Sequence, residues 1–390
     1  MSAVARPMPP AQAAGDDHGT DGFRLSAPGR HLATEGVQAR LPAGATSTLG
    51  ARVGAFFSAT RSGPDLLVGA LPFDPHHDDA LYQPLQRSAR PAGTQPAPAG
   101  RVIATAEQPS ADDYASAVGR CIERLRAAPD GAEALRKVVL ARGLRVEADA
   151  AIDPHALAVR LGRDASVTTY VVPLPVAPGE APAWLVGATP ELLVSRRGRE
   201  VVSHPLAGSA RRLGDGAADR ACTDALLASA KDLGEHRFVV EAILDGLAPL
   251  CSQLRAPPRP SLLATETMWH LATRITGTLK NAETSSATLA GLLHPTPAVC
   301  GTPRLPALQA IRALEPFDRG FYAGAVGWTD SSGDGDWYVS IRCARVQGNA
   351  MHLFAGAGIV ADSVPALEVE ETAAKFMALR NALGIDDARA

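Results

Sequence analysis

Between residues 22 and 72, short apolar runs such as VGAFF and DLLVGALPF alternate with glycine and proline, which predicts strands joined by turns. Over residues 111–128 the period changes. Tyr114, Val118, Cys121, Ile122 and Leu125 recur at three- and four-residue spacing, the stripe of an amphipathic helix. Apolar, β-branched segments follow: KVVLARGLRV from Lys137, then TTYVVPLP, AWLVGA, ELLVSRRG and REVVSHPLAG, all strand-like. Residues 221–254 read as one long amphipathic helix. GAVGW, WYVSIRCARV and MHLFAGAGIV then predict further strands, and a last helix is expected over residues 365–383. Strands arrive in runs with few βαβ alternations, so an α+β architecture is expected rather than a doubly wound sheet. The first 21 residues, rich in Pro, Ala, Gly and Asp, are expected to be a disordered tail. RPAGTQPAPAG, residues 90–100, reads as a proline-rich loop or linker.

The formal charge of the 390-residue chain is −3 and no basic block stands out, so nucleic acid is not an expected partner. The five cysteines lack CxxC pairing and the N-terminus lacks the apolar run of a secretory signal, which predicts free thiols in a reducing cytoplasm. No apolar run reaches the 18 or so residues needed to span a bilayer, so no membrane association is expected.

Two segments carry the candidate chemistry. KDLGEHRFVV, from Lys231, places Asp232 and Glu235 three apart on a helix, and SVPALEVEETAAK, from Ser363, does the same for Glu368 and Glu371. Each pair is either a solvated face or half of an oxygen-only cage, which suits Mg²⁺ better than zinc or iron. Gly356, Gly358 and Ala361 in AGAGIVA share the spacing of a dinucleotide fingerprint. Only some 29 residues follow, nearly all helical in pattern, so the returning strand and distal acid of a Rossmann unit are missing. Two readings of the glycines stay open: a turn ending an edge strand, or backbone N–H groups brought close to an anion.

Lys137 heads an apolar strand, where a lysine either snorkels to solvent or acts as a base. Glu191, after Gly-Ala-Thr-Pro, is a surface or capping residue or a carboxyl presented into a cleft. Arg342, in VSIRCA, is expected mid-strand, where a buried guanidinium demands an anion. His270 and His294 lack the third ligand of a zinc site, and Ser209 has no GxSxG elbow around it.

KVVLAR, GATPELL, PLAGSARR, KDLGEH, MWHLAT, LLHPTPAVCGTP, EPFDRGFYAGAVGW, IRCA, AGAGIV and EVEET follow one another between residues 110 and 383. This ordered series resembles the chorismate-utilising enzymes, above all bacterial isochorismate synthases of the siderophore type. The resemblance implies one large domain of two antiparallel sheets flanked by helices around a Mg²⁺-dependent site. Residues 22–105 would form a strand-rich N-terminal part and residues 106–385 the chorismate-binding core. It implies Lys137 as general base and Glu191 as general acid. Glu235 and Glu371 become the principal Mg²⁺ ligands, supported by Asp232 and Glu368. Arg342, Lys375, Gly356 and Gly358 would hold the substrate's carboxylates, and Gly208, Ser209, His270 and Tyr322 would line the ring pocket.

The branches of this family differ in nucleophile. Anthranilate synthases usually carry glutamine where Lys137 stands, and aminodeoxychorismate synthases often carry lysine where this chain has Ala207. The pattern here favours water attack at C2, with salicylate synthase as the nearest alternative and a menaquinone-pathway isochorismate synthase also open. No glutamine amidotransferase partner is expected, and the chain is expected to be a monomer or weak homodimer. Two departures stand out in EVEET: Val369 replaces a common aromatic residue, and Glu370 stands where a basic residue is common.

Overall fold

The computed structural model describes residues 22–59, 62–88, 100–128, 131 and 134–383. The expected tail, and all but the last residue of the proline-rich segment 90–100, lie outside the described residues. Two antiparallel sheets form the body of the fold. The first runs Arg24–Ala27, Thr168–Leu174, Ala183–Thr189, Cys343–Gln347, Ala350–Ile359, Lys137–Ala148. The second runs Arg30–Arg40, Ala80–Arg87, Leu66–Leu71, Ala325–Asp330, Gly335–Val339, Leu192–Arg197, Glu200–His204, Ile275–Leu279, Cys251–Arg255. A hairpin between Arg24–Ala27 and Arg30–Arg40 joins them. A small third sheet pairs Leu206–Arg211 with Met268–Ala272, and that strand with Ser261–Ala264. The α+β expectation is met, with antiparallel pairing throughout these sheets.

The main core draws on both sheets and includes Leu140, Tyr170, Val194, Val326 and Trp337. A second cluster, with Val146, Leu157, Val186, Met351 and Phe376, lies under the helices Pro154–Leu161 and Pro365–Leu383. The helix expected over residues 111–128 is observed as Ala111–Ala127, with its five stripe residues buried and Ser110 capping its N-terminus.

Three local expectations are corrected. VGAFF lies in the helix Leu49–Ala59, where Leu49, Val53 and Phe56 are buried at helical spacing. A short apolar run does not by itself distinguish the two periods. The helix expected over residues 221–254 is two helices, Gly216–Ala228 and Ala230–Leu247, followed by a strand from Cys251. Ser229 makes the break: its backbone is extended and its side chain accepts the Asp232 N–H, restarting the helix with an N-cap. Arg342 is not mid-strand. It sits between Gly335–Val339 and Cys343–Gln347 with φ +49°, a left-handed conformation that costs about 1–3 kcal/mol in a non-glycine residue.

The outer edge of Lys137–Ala148 is covered at its start by Gly301–Thr302 and from Gly143 onward by Val102–Gln108. Side chains occupy the gap. Ala141 N–H donates to Glu315 Oε1 (2.7 Å), and Arg319 donates to Val139 O (2.7 Å) while its Nε donates to Glu315 Oε2 (2.8 Å). This buried pair stands in for the missing stretch of strand beside Lys137.

Candidate active site

Lys137 is 0% exposed, and its Nζ lies 2.8 Å from Glu235 Oε1. The contact is a close ion pair rather than a well-directed hydrogen bond, and no other acceptor among the described residues satisfies the ammonium. Burial alone would raise the Glu235 carboxyl. Lys137, helped by Lys375 and Lys231, outweighs that and holds it below the ordinary carboxylate range. Glu191 sits in the turn between Ala183–Thr189 and Leu192–Arg197 and is 3% exposed. Burial pushes it up to about 8, against the opposing pull of a backbone hydrogen bond and of Lys137, Lys375 and Arg342. Glu191, a carboxyl that keeps its proton at neutral pH, therefore lines one cavity with Glu235, whose carboxylate holds the buried Lys137 behind the cavity wall.

The two acidic helix faces are brought near each other, and each carboxylate but Asp232 holds a lysine. Glu235 holds Lys137, Lys375 Nζ lies 2.6 Å from Glu371 Oε1, and Lys231 Nζ lies 2.6 Å from Glu368 Oε1. Glu368 is raised by burial and by Glu371, Asp232 by burial and then by Glu235 and Glu371. Among the described residues no three acidic, histidine or cysteine side chains converge on one point at metal-binding distance. The donor set nonetheless fits Mg²⁺. Every donor is a carboxylate oxygen, their mutual repulsion favours a cation, and among the described residues the buried Glu368 Oε2 has no hydrogen-bond donor, although Ser363 is near enough to favour its ionised form.

The remaining expected residues line the same cavity: Gly208, Ser209, His270, Tyr322, Arg342, Gly356, Gly358 and Lys375, together with Glu191, Glu235 and Glu371. Lys137, Asp232 and Glu368 stand behind this lining. A larger cavity of about 810 Å³, bordered by Arg24, His31, His155 and Tyr170, touches none of the expected residues. Convergent titratable groups, rather than size, mark the smaller one as the candidate site.

The glycine question resolves through register. In Lys137–Ala148, Val139 N–H donates to Cys300 O and Ala141 N–H to Glu315, so both residues face away from Ala350–Ile359. Their partners are Gly358 and Gly356, which makes these non-hydrogen-bonded pairs and turns the amide and carbonyl of both glycines to the opposite edge. Cys343–Gln347 pairs on that edge only as far as Leu353. Lys375 Nζ donates to Gly356 O (2.9 Å) there. The motif is a strand with an open edge, not a terminal turn. A Cβ on Gly358 would lie 2.1 Å from Glu235 Oε1, so the position must be glycine for that carboxylate to sit where it does.

Arg342 is buried without a carboxylate partner at ion-pair distance among the described residues; burial lowers it to about 10. Its guanidinium donates to Thr265 Oγ1 (3.2 Å) and to His270 Nε2. Since guanidinium only donates, His270 is the neutral tautomer with its proton on Nδ1. Burial first, then Arg342 and Lys375, hold that imidazole well below its usual pKa. Tyr322 stacks on Phe354 with centroids 5.0 Å apart, and Ser209 Oγ donates to Glu371 Oε1 (3.4 Å). His294 is structural, bonded to Pro72 O (2.8 Å) and lowered to about 4 by burial.

Sequence reasoning missed Lys231, Thr265, Phe354 and His236. His236 is buried beside Glu235 and bridges Ala207 O (3.1 Å) and Thr273 Oγ1 (2.7 Å), fixing the first turns of that helix against the small sheet. Lys231 directly precedes Asp232, yet only the fold reveals that it reaches Glu368. Nothing in local pattern marks Thr265 or Phe354.

The family model for chorismate binding enzymes matches residues 74–384. The chain is 40% identical to isochorismate synthase DhbC of Bacillus subtilis, over 93% of this chain and 94% of the relative. It is 41% identical to isochorismate synthase EntC of Escherichia coli K12, over 82% and 81%. The crystal structure of DhbC from Bacillus anthracis superposes with a TM-score of 0.86 at 40% identity, covering 94% and 96% of the two chains. With the family model spanning most of its length and the Bacillus subtilis relative covered nearly end to end, the chain belongs to the chorismate binding enzyme family.

Proposed function

We propose that the chain is an isochorismate synthase that adds water at C2 of chorismate and expels the C4 hydroxyl. The observation that carries this reading is a protonated Glu191 lining one cavity with Glu235, the carboxylate that holds Lys137 directly behind the wall. Lys137, in its neutral form, takes a proton from the attacking water, the ring double bonds shift, and Glu191 gives its proton to the departing C4 oxygen. One hydroxyl enters and one leaves, so the product is an isomer. Arg342, Lys375 and the amides of Gly356 and Gly358 hold the two carboxylates of the dianion. Glu235 and Glu371, with Asp232 and Glu368, would hold Mg²⁺. Bound there, the ion would supply positive charge that offsets the repulsion between these carboxylates and a dianionic substrate.

Ala207 lines the cavity, so it offers no lysine nucleophile there, and water remains the attacking group. The wording of the motifs and the names of the relatives favour supply of 2,3-dihydroxybenzoate for a catecholate siderophore over menaquinone synthesis. The enzyme acts without an amidotransferase subunit, as a monomer or weak dimer.

Incubation with chorismate, with and without Mg²⁺, tests this when resolved by proton NMR, because the two isomers have equal mass. A Mg²⁺-dependent mixture of chorismate and isochorismate is expected, with turnover reduced roughly 10²–10⁴-fold in a folded Lys137→Ala variant. Fluorescent salicylate as the product would move the chain to the pyruvate-eliminating branch. Full activity of Lys137→Ala would overturn the assigned base.

A further inference from the structure

Arg342 is held in place by a chain of contacts that begins outside the cavity. Its guanidinium has two fixed acceptors, Thr265 Oγ1 and His270 Nε2, and both are neutral. Its own backbone lies in the left-handed region, between two strands and outside either ladder. Thr265 is buried and makes three contacts at once: besides receiving Arg342, its hydroxyl lies 3.2 Å from Met268 O and accepts Met268 N–H (3.1 Å), closing the turn that leads into the strand bearing His270. The next residue, Glu266, donates its N–H to Asp164 Oδ2 (2.7 Å). Asp164 is itself fixed, its Oδ1 accepting the Ser166 N–H (2.9 Å) and hydroxyl (2.5 Å). Asp164, Glu266 and Arg342 border a separate cavity of about 130 Å³, so Arg342 stands as a partition between that space and the catalytic cavity.

We infer that Thr265, braced through the Glu266 amide by Asp164, is a positioning residue that aims the Arg342 guanidinium at an anionic group of the substrate. The inference rests on the reading of Arg342 as a carboxylate-binding residue. Thr265 leaves the guanidinium's charge unneutralised while fixing one of its nitrogens, and His270 fixes another. Asp164 adds negative charge on the far side at a distance that favours the charged guanidinium without capturing it as an ion pair. A carboxylate of the substrate is then the first anion to meet Arg342 directly.

The test compares Thr265→Val, which keeps the shape and removes the hydroxyl, with Thr265→Ser, which keeps the hydroxyl, alongside Asp164→Asn and Arg342→Lys, all in the full chain. The KM for chorismate is expected to rise about tenfold in Thr265→Val with kcat nearly unchanged, the size of one hydrogen bond to a charged group. Thr265→Ser restores it, and Asp164→Asn raises KM by a smaller factor. In the Arg342→Lys background the Thr265→Val change adds nothing further. An unchanged KM in folded Thr265→Val, or a tenfold effect that persists in full beside Arg342→Lys, overturns the inference. Should Thr265→Val fail to fold, Asp164→Asn decides, since a KM equal to that of the parent chain refutes the brace. If Arg342→Lys itself leaves KM unaltered, the carboxylate-binding reading of Arg342 falls, and the brace falls with it.

Discussion

Glu191 keeps its proton because it is buried at the end of a strand where water cannot solvate the anion, and the nearby cations do not fully offset that loss. With a value raised to about 8, the acid form dominates at neutral pH and is lost above it, so activity should fall on the alkaline limb with an apparent pKa near 8. Stability follows the same proton. Between the ordinary value of 4.5 and the raised one, the folded chain binds a proton that the unfolded chain has released, so stability falls as pH rises through that window, by at most roughly 1.4 kcal/mol per pH unit. Glu191→Gln should flatten this dependence while abolishing turnover; urea midpoints across pH 5–8 measure it, and a slope as steep as that of the parent chain would refute the assignment. At this scale the sequence was partly legible. A lysine heading an apolar strand and a carboxyl after a Thr-Pro turn were visible as candidates, and the match of ordered motifs ranked them. Thr265 and Lys231 were not visible, because an interior threonine and a helix-start lysine have ordinary solvent-facing explanations until tertiary contacts exclude them.

The elements bearing the carboxylates are set by caps and close approaches. Ser229 restarts the helix Ala230–Leu247 one turn before Asp232, which places Glu235 opposite Lys137. That break was hidden in the sequence, since the apolar stripe continues across it and serine is also tolerated within helices. The helix Pro365–Leu383 was legible from the proline at its start and its acidic first turn. Arg142 ties that helix to the strand beginning at Lys137, its Nε donating to Thr372 Oγ1 (2.9 Å). Gly358 sets the spacing between that sheet and Glu235. In Gly358→Ala the new methyl would force the Glu235 carboxylate to move, parting it from Lys137. Turnover is expected to drop on the order of 10²-fold, the scale of an ångström's misplacement, with the melting temperature little changed. Wild-type kcat/KM in this variant would show that the close approach has no catalytic role.

For the whole molecule, α+β architecture was legible in strands that arrive in runs, but strand order was not. Leu66–Leu71 lies in the middle of the second sheet, paired with Ala325–Asp330 from the far end of the sequence. No local pattern announces a partner some 250 residues away, and the pairing emerges only when both sheets bury their apolar faces together. The Glu315–Arg319 pair is likewise explained only by the completed sheet, where it closes the gap that the neighbouring strands leave beside Lys137. On the other side of the same sheet, the strand carrying Gly356 and Gly358 runs past the end of its neighbour, and its outward amides are left for whatever enters the cavity. A ligand carboxylate seated there acts as a fragment of an additional strand, so binding should leave a mark with a period of two. When chorismate and Mg²⁺ are added, hydrogen exchange should slow at Gly356 and Gly358 and stay constant at Ala357 and Ile359, whose amides already belong to the ladder with Leu140 and Val138.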